Sequence, residues 1–147
     1  MENASSPDRP LLRVDGVCLD CAEEDFAAML GFYLRFFGWE ITAGCLDPAV
    51  CTHDGDHWVG LQSPAGGTTL SIQSEQWYQP PVWPEEDGRL TKMIHLEISV
   101  DGLDAAVARA VAAGARQAPH QPADRDPDKL RIMLDPAGHP FCLYDDA

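Results

Sequence analysis

The chain has 147 residues, enough for one ordinary domain with a real core, and carries a formal net charge of −14 with a pI near 4.4. That field repels phosphate backbones and anionic lipid, and no Lys/Arg cluster offsets it, so neither nucleic acid nor a membrane is an expected partner. Five cysteines, an odd count behind a polar start, argue for reduced thiols in a cytoplasmic protein instead of a disulfide scaffold.

Residues 1–10 hold Asn, Ser, Pro and Asp but no apolar run, which reads as a mobile tail and not a signal peptide or anchor. Leu11 to Cys21 alternates as a strand, with Val17, Leu19 and Cys21 on one face and Gly16, Cys18 and Asp20 on the other. Cys18 and Cys21 form a Cys-x-x-Cys pair, yet residues three apart on a strand point to opposite faces and cannot share a metal. Phe26, Met29, Leu30, Tyr33 and Phe37 then fall at helical spacing, with Glu23, Glu24 and Asp25 at the positive end and Gly38 as the stop. Trp39 to Cys45 resumes as a strand.

His53-Asp-Gly-Asp-His57 has a turn signal at its centre, and its acids and glycine suit a solvated hairpin tip better than a metal site. Trp58 to Gln62 and Thr68 to Ser74 are the third and fourth strands, joined by the Ser63-Pro-Ala-Gly-Gly67 turn. Residues 76–91 form a linker with Trp77, Tyr78, Pro80, Pro81, Trp83 and Pro84, whose prolines forbid an interior strand or helix. Its aromatics are expected to strap over a sheet edge, the alternative being a lid that touches a ligand.

The order then repeats. Lys92 to Val100 is a strand, Asp101 a cap, Leu103, Ala106, Val107, Ala110 and Val111 a helical stripe, and Gly114 its stop. Ala115 to Ala118, Leu130 to Leu134 and Phe141 to Asp145 complete the second set of strands. The turn segment Leu61 to Gln73 also returns as Leu134 to Tyr144. The expected fold is therefore α+β, with two tandem βαβββ modules over residues 11–75 and 92–147 whose sheets face each other around a central cleft.

If the helical stripes cover one face of each sheet, the alternate strand positions line the cleft. That set is Cys18, Asp20, Trp58, Gly60, Gln62, Ser71, Gln73, His95, Glu97, Ser99, Arg131, Met133, Cys142 and Tyr144. Rings, thiols and a thioether mixed with carboxylates and amides suit a small-molecule pocket better than a solvent face or a core. His95 and Glu97 share a face and form a candidate acid–base pair, the alternative being a pair that only holds strands together. Trp58, Trp77, Trp83 and Tyr144 are candidates for stacking on a ligand, and Gln73, Glu97 and Arg131 for orienting it.

The repeated order, with Gly31-Phe-Tyr-Leu-Arg-Phe-Phe-Gly-Trp39 in the first half and Asp135-Pro-Ala-Gly-His-Pro-Phe-Cys-Leu143 near the end, resembles the vicinal oxygen chelate superfamily. That superfamily includes glyoxalase I, bleomycin and fosfomycin resistance proteins and extradiol dioxygenases. Leu70-Ser-Ile-Gln73, Pro80-Pro-Val-Trp-Pro84 and His95-Leu-Glu-Ile98 are similar to its glyoxalase-like subgroup. The resemblance implies four metal-ligand positions, which fall on Gly16, Ser71, His95 and Cys142; only His95 and Cys142 bear side chains suited to zinc, nickel, iron or manganese. Cys18, Asp20, Gln73 or Glu97 could complete such a site, and a register slip by two puts Cys18 in place of Gly16. Three functions follow: a resistance or sequestering protein that needs no metal, a lyase or isomerase on a small oxygenated metabolite, or a structural interaction domain with a filled cleft. A homodimer is the expected assembly for such paired-module proteins.

Overall fold

A computed structural model describes residue 12, residues 14–44 and residues 58–145. The N-terminal tail, Cys45, Cys51 and the expected hairpin at His53–His57 lie outside the described residues. In chain order the elements are β1 (Gly16–Ala22), α1 (Phe26–Phe37), β2 (Glu40–Gly44), β3 (Trp58–Gln62), β4 (Thr69–Glu75), β5 (Glu97–Ser99), α2 (Leu103–Ala113), β6 (Arg116–Gln117), β7 (Leu130–Leu134) and β8 (Pro140–Tyr144). A short 3-10 turn, Glu23–Asp25, leads into α1. The strands form two four-stranded sheets ordered β1-β4-β3-β2 and β5-β8-β7-β6. The same strand order occurs twice, each time with a parallel pair, β1/β4 or β5/β8, at one edge. This is the tandem βαβββ architecture that the repeated pattern predicts.

Both helices stop at glycine. Gly38, at φ 66°, takes the left-handed conformation and its N–H bonds to Leu34 O at 2.9 Å. Two details differ from the expected pattern. The buried side of α1 is Phe26, Met29, Phe32, Tyr33 and Phe36, with Leu30 and Phe37 half-buried, because a run rich in aromatics offers more than one helical stripe. On α2, Leu103, Ala110 and Ala113 are buried while Val111 is exposed. Gly102, not Asp101, caps α2, and its N–H is bonded by Asp145 Oδ2 at 3.1 Å.

The expected strand Lys92 to Val100 contracts to β5. Its flanks still join β8, because Cys142 N bonds Leu96 O and Val100 N bonds Tyr144 O, both at 2.9 Å.

The core lies between the helices and the inner sides of both sheets. Met29, Phe32, Tyr33, Val59, Leu61, Ile72, Met133, Phe141 and Leu143 are fully buried in it, each contributing about 1.5–3 kcal/mol of burial. Phe32 and Phe36 of α1 pack on Phe141 of β8, with ring centroids 5.9 and 6.0 Å apart, so the first helix rests on the second sheet.

The helices are also tied reciprocally at their C-terminal ends. Arg35 Nη2 donates to Ala113 O at 2.7 Å, and Arg109 Nε donates to Phe36 O at 3.0 Å. Each guanidinium satisfies a carbonyl that the other helix leaves open, at the negative end of its dipole. No helix among the described residues is long and apolar enough to cross a membrane.

Candidate functional site

Strand alternation decides what the open faces carry. Val17, Leu19, Cys21, Val59, Leu61, Leu70, Ile72, Leu96, Ile98, Met133, Phe141 and Leu143 belong to the helix-side core. The residues between them therefore point to the opposite face. On the first sheet this face holds Cys18, Asp20, Trp58, Gly60, Ser71, Gln73 and Glu75. On the second it holds His95, Glu97, Ser99, Ile132, Leu134, Cys142 and Tyr144.

Arg131 and Met133 do not join this set. Met133 is fully buried on the helix side, and Arg131 reaches Asp104 of α2 at 3.9 Å, Gln117 Oε1 at 3.1 Å and Pro127 O at 2.8 Å. The sequence of β7, Leu130-Arg-Ile-Met-Leu134, puts apolar residues on both faces, so its pattern cannot assign them. The pairing of Ile132 with Cys142 and of Met133 with Phe141 does.

On the first sheet the candidates do come together. Cys18 sits across from Ser71, Ser71 across from Gly60, and Gln73 across from Trp58. Cys18 Sγ lies 3.9 Å from Gln73 Oε1, and Gln73 Nε2 donates to Glu75 Oε1 at 2.9 Å. Burial pushes the Cys18 thiol up, the charges of Asp20 and Glu75 push the same way, and hydrogen bonds with Ser71 and Trp58 act against them.

On the second sheet His95 Nε2 lies 3.5 Å from Glu97 Oε1, with the Glu97 side chain 67 % exposed. Glu97 pairs across the parallel ladder with Cys142. Cys142 is buried with Ala118, Ile132 and Leu134, and Trp83 packs against this group. Burial pushes the Cys142 thiol up as well; Lys92 counteracts it and Glu97 adds to it. The indole Nε1 of Trp83 donates to His120 O at 3.3 Å, and Lys92 Nζ stands 4.6 Å from its ring centroid. The linker is therefore a strap, and it covers a sheet face where an edge was expected. Trp77, by contrast, is 85 % exposed, and Tyr144 is half-buried opposite Leu130.

These donors do not fit the metal centre that the resemblance implies. A Cβ at Gly16 would meet Thr69 O at 2.6 Å, so the β4 backbone leaves no room for a ligating side chain there. The strand opposite Ser71 presents Cys18, and the strand opposite Cys142 presents Glu97, so His95 lies one pleat away from the central pair. Among the described residues no three His, Cys, Asp or Glu side chains converge to hold a metal ion.

The space between the modules is elsewhere. A cavity of about 720 Å³ is bounded by Asp20 and Glu75 of the first module, Lys92, Ile94, His139 and Pro140 of the second, and linker residues including Trp77 and Tyr78. A second, of about 330 Å³, lies among Val17, Phe37, Trp39, Leu70, Leu96 and Ile98, with Glu97 and Ser99 at its border. Of the residues expected to touch a ligand, Trp77 lines the larger cavity.

Its far wall was not anticipated. His139 Nε2 meets Asp20 O at 2.6 Å; since a carbonyl only accepts, the ring donates there. Tyr78 Oη donates to Ala137 O at 2.9 Å and stands 3.3 Å from the same imidazole nitrogen. Asp135, at the head of the same turn, accepts from Ala137 N, His139 N and the Tyr33 hydroxyl. The Asp135-Pro-Ala-Gly turn marks the place in the sequence, but nothing in the pattern pairs it with a tyrosine from an apolar helix.

The glyoxalase-like domain family matches residues 16–144. The chain belongs to that family. Among solved structures, a glyoxalase family protein from Enterococcus faecalis is 22% identical with a TM-score of 0.62, over 90% of this chain and 96% of that one. A fosfomycin resistance protein from Listeria monocytogenes, solved with Mn(II) and a dihydroxypropylphosphonic acid, is 14% identical with a TM-score of 0.63, over 92% and 93%. The trypanothione-dependent glyoxalase I of Leishmania major is 14% identical with a TM-score of 0.62, over 92% and 88%. At these identities the likeness is one of fold. No curated protein matches the sequence.

Proposed function

We propose that this glyoxalase-like protein binds a small organic molecule between its two modules and acts by sequestering it in the cytoplasm. The observation that carries the reading is the cavity of about 720 Å³ bounded by both modules and the linker, a size within the range of ligand pockets. Its border is divided evenly between apolar or aromatic side chains and polar or charged ones, which offers a ligand both a surface to pack on and groups that orient it. Family membership is compatible with resistance proteins and with glyoxalases, and the donor set favours the reading that needs no metal. The free thiols of Cys18, Cys21 and Cys142 suit a reducing compartment.

The test is a melting-temperature screen of the full chain against a panel of small aromatic and oxygenated compounds of both charges, beside Gln79→Trp. Gln79 is exposed and lines the cavity, so an indole there fills space without disturbing the core. At least one compound is expected to raise the midpoint of the wild type and not that of the variant. A panel that shifts neither protein, or both equally, removes the proposed site.

A further inference from the structure

We propose that the ligand of the inter-module cavity is an organic cation, with its charge against Asp20 and Glu75 and its apolar body against Trp77, Tyr78 and Ile94. This rests on the binding reading above and specifies its ligand. Asp20 and Glu75 both line the cavity, and among the described residues neither forms an ion pair. Glu75 has one oxygen engaged by the neutral amide of Gln73. The basic side chains at the cavity are already engaged. Lys92 lies against the Trp83 ring, and the Nε2 of His139 is directed at the backbone carbonyl of Asp20.

The resulting field is felt by three neutral neighbours in the same sense. Burial is the main cause that raises the thiols of Cys18 and Cys21 and the phenol of Tyr78, and the Asp20 charge adds to it at all three, with Glu75 adding at Cys18. Asp20 and Glu75 outnumber the one ammonium in the lining, Lys92, so the partly enclosed space keeps a negative excess that concentrates cations, and the −14 net charge extends it into solvent.

The rest of the border selects what kind of cation. Trp77, Met93 and Ile94 are 85 %, 86 % and 81 % exposed, and Leu90 is 50 % exposed. Four large apolar side chains around one opening are unusual on a chain with this much charge, and mark a surface that an apolar body covers. Indole and phenol rings also attract cations through their faces. A bare metal ion does not meet these conditions, since no three ligating side chains converge among the described residues. A cavity of about 720 Å³ is also far larger than such an ion.

The experiment compares three probes of one shape: 4-phenylbutyl-trimethylammonium, 4-phenylbutanol and 5-phenylpentanoate. Calorimetry on the full chain is expected to give the ammonium at least a tenfold tighter Kd than the alcohol, and the carboxylate the weakest. The preference should shrink as salt is raised. Asp20→Asn and Glu75→Gln should each weaken the ammonium about fivefold or more and leave the alcohol within twofold, which an unfolded variant would not do. Equal or tighter binding of the alcohol or carboxylate overturns the cation assignment while the binding reading stands. No binding of the ammonium, with neutral or anionic hits from the broader panel, overturns it in the same way. If the panel also gives no hit, the binding reading falls and this proposal falls with it.

Discussion

The hydroxyl of Tyr33, on the helix of the first module, donates a 2.7 Å hydrogen bond to Oδ2 of Asp135, in the turn between the last two strands of the second. Both residues are almost fully buried, at 1 % and 2 % exposure. Removing the hydroxyl leaves a buried carboxylate oxygen short of a partner, the costly side of any hydrogen-bond deletion. Tyr33→Phe is expected to lower the stability by about 1–3 kcal/mol, read as a lower urea midpoint at unchanged slope. Asp135→Asn added to the Tyr33→Phe variant should then cost less than it does in the wild type, because the two residues share one bond.

Asp135 also gives the fold a pH dependence whose sign can be worked out. Burial holds its carboxyl above the usual range, and the His139 charge, the Tyr33 hydroxyl and the His139 and Ala137 backbone N–H groups draw it back only in part. The folded state therefore keeps this proton to higher pH than the unfolded state does. Stability from this group is present below the unfolded value and falls as pH rises through the folded one. Urea unfolding at a series of acidic to neutral pH values, with Asp135→Asn alongside, isolates the effect. The variant should gain on the wild type as pH rises through that window and run parallel above it; a difference that moves the other way would show that the bonds outweigh burial.

How much of this was readable beforehand depended on the kind of signal. The repeated strand and helix pattern locates six of the eight strands among the described residues to within one residue at each end, since period and turn chemistry are local properties, while β1 and β5 begin at Gly16 and Glu97 where Leu11 and Lys92 were expected. Faces were legible where alternation was clean, as for Cys18 and Asp20 against Leu19 and Cys21 in β1. They were illegible in β7, where Ile132 and Leu134 on one face and Met133 on the other are all apolar, and only pairing with β8 assigns them. The Tyr33–Asp135 bond joins residues 102 apart. No spacing rule reaches that far. The same holds for His139, which looked like part of a turn and proves to face Asp20 across the module boundary.

Gly16 shows where a glycine is required by contact and not by torsion. A methyl group there would meet the Thr69 carbonyl at 2.6 Å, inside the parallel β1/β4 pair. Backbone cannot yield as a side chain tip can, so the two strands would have to part. Gly16→Ala is expected to cost about 1–3 kcal/mol. Gly66→Ala makes the useful comparison: it lies in an open turn at φ 84° with nothing near its missing Cβ, so any cost there is torsional strain alone. Chemical denaturation of both, with hydrogen exchange at Thr69 and Val17, separates the two causes, since only the Gly16 change should loosen those amides.

The thiols should differ in reactivity in a way that reports the strap. Cys21 is fully buried and its thiol is pushed up to about 12 by burial, with the charges of Asp25, Asp135 and Asp20 adding to it. Cys18 is exposed and raised less, and Cys142 is covered from the cleft side by Trp83. Thiolate supply and access together set the rate of alkylation. Peptide mapping after iodoacetamide treatment at mildly alkaline pH should therefore find Cys18 modified well before Cys142, and Cys21 last. Trp83→Ala removes the indole that covers Cys142 and the ring that holds Lys92, and should cost about 1–3 kcal/mol, less than truncation of a fully buried ring because Trp83 is only half-buried. In that variant Cys142 should label at least tenfold faster while Cys21 stays protected. Equal acceleration at Cys21 would mean that the whole domain has loosened, and unchanged labelling at Cys142 would mean that Ala118, Ile132 and Leu134 shield it without the strap.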